Sequence, residues 1–278
     1  MRSWRVVLAW LLLAMSGGSV AAVGFPEELH YQVYYRGLFS AGARMPIADV
    51  TLKTRDPAGG AAYLESELGV TSEDNAHVEA FYPILYRFRS WYLRDRSSCL
   101  AAEYFERNNR SGLKHRLIYL DDPQEDFVTR DLVAEGDLDL PALLGGTYSG
   151  DAAATRAEGR FDRLGLLQRV RGLALQPGMQ LQEAVSNGKQ MLHYRVTVEQ
   201  RSDRSVAGRQ WAALKLRFEG LETDQRGKLE HAHRPVYIWL SDDAWRVPLL
   251  AVGRAAVGKF YIELKQPPGP KLVQLENG

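Results

Sequence analysis

Along most of the chain, hydrophobic and polar residues alternate with a period of two. In Leu29-His30-Tyr31-Gln32-Val33-Tyr34-Tyr35 the odd positions are apolar or aromatic and the even ones mostly polar. Ala48, Val50 and Leu52 alternate with Asp49, Thr51 and Lys53, and Tyr194, Val196 and Val198 with His193, Arg195, Thr197 and Glu199. The same pattern returns at Leu214, Leu216 and Phe218 and at Phe260, Ile262 and Leu264. A strand with one buried and one wet face reads this way. Further strands are expected at 61–72, 77–94, 99–107, 113–120 and 235–241, giving about ten or eleven in all. Turn chemistry separates them at Asp56-Pro57-Ala58-Gly59-Gly60, Asp121-Asp122-Pro123 and Asn187-Gly188, the last being the best hairpin signal. Helical signal is confined to 162–171, where Asp162 can cap and Leu164, Leu167 and Val170 recur every three residues, and to a short stretch near 138–145 broken by Pro141. The predicted fold is therefore all-β: a curved antiparallel sheet or incomplete barrel, with one short helix at 162–171 against its open side or end. Strands 28–38 and 257–265 are expected to lie close enough to close the sheet.

Residues 1–22 read as a signal peptide rather than as part of the fold. Arg2 and Arg5 precede an apolar run from Val6 to Met15, and Val20-Ala21-Ala22 supplies a small-residue cleavage site. The expected product is a periplasmic protein with a single β domain over 23–266, a disordered tail over 267–278 starting at Pro267-Pro268-Gly269-Pro270, and no transmembrane segment. Residues 134–160, rich in Gly, Ala, Asp and Glu, read as an excursion from that domain.

The 278 residues carry 35 Lys+Arg against 34 Asp+Glu, and 45% are hydrophobic. This balance excludes an intrinsically disordered chain and gives no electrostatic footprint for nucleic acid. Cys99 is the only cysteine, so no intrachain disulfide can form, and it reads as a small buried hydrophobe.

Three stretches resemble the DUF3108 family of exported bacterial domains of unknown function. They are Glu28 to Gly42, the segment from Asp162 to Arg171 followed by Leu173-Ala174-Leu175-Gln176-Pro177-Gly178, and above all Val236 to Pro248 with Val257-Gly258 to Leu264. Trp245 stands where the family pattern usually has a second basic residue beside the Arg before Pro248. The resemblance implies an exported β protein and no established reaction.

No nucleophile elbow, phosphate loop or dinucleotide fingerprint is present, so no cofactor is expected and no catalytic residue is assigned. His231-Ala232-His233 puts two imidazoles on one face of an extended chain, but a metal site needs at least a third ligand. Asp242 and Asp243 point to opposite faces of a strand end, which suits turn capping, with Arg246 available to pair with one of them. The aromatic load over Phe81 to Tyr92 is more suggestive, because aromatics fall on both faces of the expected strand. Either that outer face is covered or one face lines a cavity. The candidate ligand-binding residues are accordingly Tyr82, Tyr86, Trp91, Trp239, Arg171 and Arg246. The expected function is an exported envelope protein, more plausibly a binder than an enzyme. It would hold an apolar or amphipathic ligand such as a lipid, or an envelope protein, in the concave face. The alternative is an envelope polysaccharide hydrolase or lyase using Asp242, Asp243 or His233.

Overall fold

The computed structural model describes residues 27–57, 62–108, 112–120, 128–131, 159–223 and 227–268. The expected leader, the stretch near 138–145, residues 134–158 of the excursion and the tail from 269 lie outside the described residues.

Among the described residues, fifteen strands form one sheet. They are β1 (Glu27–Gly37), β2 (Met45–Arg55), β3 (Tyr63–Thr71), β4 (Leu85–Leu93), β5 (Cys99–Asn108), β6 (Gly112–Tyr119), β7 (Val128–Asp131), β8 (Arg160–Phe161), β9 (Gln180–Ser186), β10 (Met191–Val206), β11 (Arg209–Thr223), β12 (Leu229–His231), β13 (Val236–Ser241), β14 (Pro248–Ala255) and β15 (Gly258–Leu264). Two helices interrupt them: α1 (Ala76–Phe81) and α2 (Arg163–Arg171). The spatial order is β7-β6-β5-β4-β3-β2-β1-β15-β14-β13-β11-β10-β9-β8, with β12 attached to β11. Only the β8–β9 pair is parallel. The strands beyond the ten or eleven expected include β7, β8 and β12, which are too short for a period to show.

The sheet is strongly curved. Helix α2 contacts both β4 and β9, strands nine places apart in the order. In a flat sheet they would be roughly 43 Å from one another. Side chains from the two arms meet in one cluster, where Ile118 of β6 packs with Val185 of β9 and Leu192 of β10. The Thr129 hydroxyl reaches the Gly188 carbonyl across the gap at 3.5 Å. Among the described residues no ladder joins β7 to β8 or β9, so the barrel they form is incomplete, with an open seam between its arms.

Two expectations need correction. Strands β1 and β15 do pair, from Tyr31–Leu264 to Gly37–Gly258. That ladder lies in the middle of the sheet and joins its two halves; it does not close it. The expected strand 77–94 begins as a helix: Ala76–Phe81 forms α1, and the strand starts only at Leu85, after Pro83. The cause is local, because the residue before a proline is pushed to extended geometry and the helix must end there. Phe81 and Tyr82 therefore belong to a connection. Within the strand, Tyr86 and Phe88 share the concave face with Val70 and Leu68 of β3, while Arg87, Arg89 and Trp91 point the other way.

Helix α2 lies within the concave face. Its burial is nearly circumferential: Leu164, Gly165, Leu166, Gln168, Val170 and Arg171 are all buried. Such a helix needs walls on every side, which the curled sheet provides. Asp162 caps it, with Oδ1 accepting from the Leu164 and Gly165 amides at 2.7 and 3.1 Å and Oδ2 accepting from the Ser90 hydroxyl at 2.5 Å. Burial pushes the Asp162 carboxyl above its ordinary range, against the pull of these donors. A folded-state value above the unfolded one makes the wild-type fold most favoured in acid, and that advantage is lost as pH rises through the folded value. Asn caps equally well without the buried charge. Asp162→Asn is therefore expected to be about 1 kcal/mol more stable than wild type at pH 7.5, with the gain vanishing towards pH 4. Urea unfolding at the two pH values checks this; Asp162→Ala, which loses the cap, should instead cost about 1–2 kcal/mol.

Candidate functional site

Two polar constellations lie on the concave face. The first is a layer running around the strands. Glu27, Thr54, Ser66 and Ser90 are successive cross-strand partners on β1 to β4, all facing inward and all buried. Their alternation slots would ordinarily hold apolar side chains. Thr54 and Ser66 hydroxyls lie 3.0 Å apart, Ser66 meets the Tyr92 hydroxyl at 3.1 Å, and Gln168 donates to Thr54 at 3.4 Å. Arg171 completes the layer. Its guanidinium grips Glu27 through Nη1–Oε2 at 2.9 Å and Nη2–Oε1 at 2.6 Å. The remaining donors go to Gln168 Oε1 and to the Arg246 and Trp245 carbonyls. All five guanidinium N–H groups are thus used inside the protein, and the side chain is fully buried. This layer anchors α2; Arg171 keeps no donor for a ligand.

The second constellation is at the seam. A cleft of about 340 Å³ opens between β4–β6 on one side and the start of α2 with the β9–β10 turn on the other. The register builds its wall in three tiers. The deepest is Ser90–Ala102–Ile118, the next Phe88–Tyr104–Arg116, and the outermost Tyr86–Glu106–Lys114. Each tier is roughly 7 Å from the next. Leu164 adds apolar surface near the deepest tier, and Arg163 and Lys189 border the opposite wall. The cleft therefore passes from an apolar floor to a charged rim.

The rim is biased towards cations. Of the acids near it, Glu106 accepts a short hydrogen bond from the Tyr104 hydroxyl, and Glu103 is held by Arg89 and His115 at 2.5 Å each. Burial, and next the hydrogen bond to Glu106, pushes the Tyr104 hydroxyl well above its ordinary range, so it stays a neutral donor. Lys114 and Lys189 have no ion pair among the described residues. Phe88 and Tyr104 meet edge to face at 4.9 Å and stiffen the middle tier.

The six residues singled out from the sequence do not converge. Tyr86 alone is on the concave face near the cleft, at the outermost tier. Tyr82 follows α1 in an exposed connection. Trp91 is buried on the opposite face, its indole N–H donating to Glu65 at 3.2 Å. Trp239 pairs in register with Lys215 and Leu250 and is stacked by the Arg204 guanidinium at 4.4 Å, again away from the cleft. Arg246 pairs with Asp242 at 2.8 Å and has positive φ of 47°.

The groups needed for a polysaccharide hydrolase or lyase are likewise dispersed. Asp242 is taken by Arg201 and Arg246, while Asp243 Oδ1 accepts from Ser241, Trp245 and Arg246 in the turn, as a capping residue does. His233 rests on Gly220 and bonds the Tyr194 hydroxyl at 2.7 Å. Asp242 bonds to Ala212, so the two lie eight residues apart along β11, roughly 27 Å. His231 approaches Glu219, not His233's partner, and no group of three metal-ligating side chains exists among the described residues. Cys99 is fully buried beside Ser90 and Gly165, and burial pushes its thiol up.

Sequence reasoning missed Tyr104, Arg116, Ile118, Lys114, Arg163 and Lys189. The available signal was on β6, where Leu113, His115 and Leu117 take one face and Lys114, Arg116 and Ile118 the other. Cations sharing a face with a buried isoleucine mark a concave surface that reaches water at one end.

Solved structures with a similar fold are known. A β-barrel-like protein of domain of unknown function DUF1849 from Brucella abortus superposes with a TM-score of 0.50 at 9% identity, over 87% of this chain and 96% of that one. A candidate lipoprotein from Parabacteroides distasonis gives 0.36 at 8% identity, covering 88% and 95%. A candidate exported protein with a YmcC-like fold from Bacteroides fragilis gives 0.29 at 6%, covering 87% and 94%. Neither a family model nor a curated protein matches the chain, so the DUF3108 resemblance rests on the residues quoted for it.

Proposed function

We propose that the chain is an exported envelope protein, a divergent relative of the DUF3108 domains, that holds one amphipathic anion in the seam cleft. The observation that carries this is the tiered wall of β4–β6, apolar at Ala102 and Ile118 and cationic at Arg116 and Lys114, with Leu164 of α2 adding to the apolar lining. A volume of about 340 Å³ is at the lower end of small-molecule sites. It suits a short acyl chain with its carboxylate or phosphate at the rim. Burial of about eight methylenes would contribute roughly 6 kcal/mol before ordering costs. The basic leader and small-residue cleavage site support export. Among the described residues, no helix is long and apolar enough to cross a membrane.

The test is displacement of a fluorescent fatty acid, with native mass spectrometry of protein incubated in envelope lipid extract. Wild type is expected to bind one equivalent. Lys114→Glu with Lys189→Glu should weaken binding at least about tenfold, a loss of roughly 1.4 kcal/mol. Ile118→Trp, which fills the floor, should abolish it. Absence of any bound lipid, or undiminished binding by Ile118→Trp, would overturn the reading.

A further inference from the structure

The exposed apolar side chains are concentrated at one end of the barrel. Leu38 and Met45 flank the β1–β2 connection, Phe81 and Tyr82 lie in the β3–β4 connection, and Leu113, Leu229 and Val257 lie at the β5–β6, β11–β13 and β14–β15 connections. By the antiparallel registers, all of these connections are at the same end. These seven are all the exposed large apolar side chains among the described residues, and Leu38 and Phe81 are each 84% exposed. Among the described residues, connections at the opposite end carry no exposed large apolar side chain; paired charges stand there, Arg94 with Asp56 and Arg246 with Asp242. An apolar patch of this kind marks a contact surface.

Its charge indicates what the surface contacts. Arg36, Lys259 and Arg254 are direct cross-strand neighbours on β1, β15 and β14. Like charges in register destabilise a sheet, and none of the three has an acidic partner among the described residues. They lie immediately behind Leu38 and Val257. These two tips are held side by side: Gly37 pairs with Gly258, and the Tyr35 hydroxyl donates to the Val257 carbonyl at 2.6 Å. A Cβ at Gly37 would come within 2.3 Å of that carbonyl oxygen, so the close approach of the two hairpins depends on glycine.

We propose that this end of the barrel docks on a bilayer containing anionic lipid, with Leu38 and Val257 entering the headgroup layer and Arg36, Lys259 and Arg254 meeting lipid phosphates. Rigid apolar tips backed by cations supply the two terms of interfacial binding, buried apolar area and attraction to anionic headgroups. The proposal stands independently of the seam cleft.

The experiment uses protein recovered from the periplasmic extract of expressing cells and phosphatidylcholine vesicles with and without phosphatidylglycerol. Co-flotation is expected only with phosphatidylglycerol, and to fall as salt is raised. The triple variant Arg36→Gln, Arg254→Gln, Lys259→Gln should bind roughly hundredfold more weakly, about fivefold per cation. An environment-sensitive fluorophore on Leu38→Cys should shift to the blue on vesicle addition, while the same label on Gln210→Cys, at the opposite end, should not. Equal binding to neutral vesicles, full binding by the triple variant, or a shift at Gln210 in place of Leu38 would overturn the proposal.

Discussion

Replacing Arg171 with methionine is expected to lower the stability of the fold by about 3–5 kcal/mol. The substitution strands the Glu27 carboxylate, fully buried, without the cation that holds both its oxygens. It also releases the Trp245 and Arg246 carbonyls and the Gln168 side chain, which accept the remaining guanidinium donors. Urea unfolding should show the loss as a shift in midpoint at constant slope. The paired variant Glu27→Leu with Arg171→Met removes the stranded charge and should recover at least half of it. If the single variant unfolds within about 1 kcal/mol of wild type, the ion pair does not anchor α2.

Gly165→Ala should also destabilise, by about 2 kcal/mol or more, although alanine is worth about 1 kcal/mol over glycine in a helix interior. The added Cβ would lie 2.0 Å from the Cys99 sulfur and 3.1 Å from both Asp162 Oδ2 and the Ser90 hydroxyl. Cys99 is a short, fully buried side chain packed against this turn of the helix. Its removal relieves the clash, so Cys99→Ala combined with Gly165→Ala should be more stable than the sum of the single losses by about 1 kcal/mol or more. Thermal unfolding of all four members of the cycle checks it; a stabilised Gly165→Ala would show that the helix stands off β5.

The all-β architecture was legible because alternation is a local signal that burial of one face imposes on every strand. The capped helix was legible to within a residue for the same reason: Asp162 and the spacing of Leu164, Leu167 and Val170 are local. What escaped is non-local. Pairing of β1 with β15 could be expected, but its place in the middle of the sheet depends on how the remaining strands are ordered. Tyr82, Trp91 and Trp239 drew attention as aromatics, yet the residue type does not say which side of a curved sheet it occupies. Glu27, Thr54, Ser66 and Ser90 look like ordinary polar residues until the register lines them up against Gln168 and Arg171. The cleft is assembled from β4–β6, α2 and the β9–β10 turn, segments as far apart as Phe88 and Lys189, and no window of sequence contains it.

The β1–β15 ladder has a consequence for how the polypeptide matures. The contact between Tyr35 and Val257 spans 222 residues, whereas β1–β7 and β9–β15 are each built largely from neighbouring hairpins. Early pairing can proceed within each half at low entropic cost, while union of the halves must close a very long loop. Until β15 is in place, the folded first half therefore carries the bare backbone edge of β1. Copies in that interval are the ones most prone to edge-to-edge association.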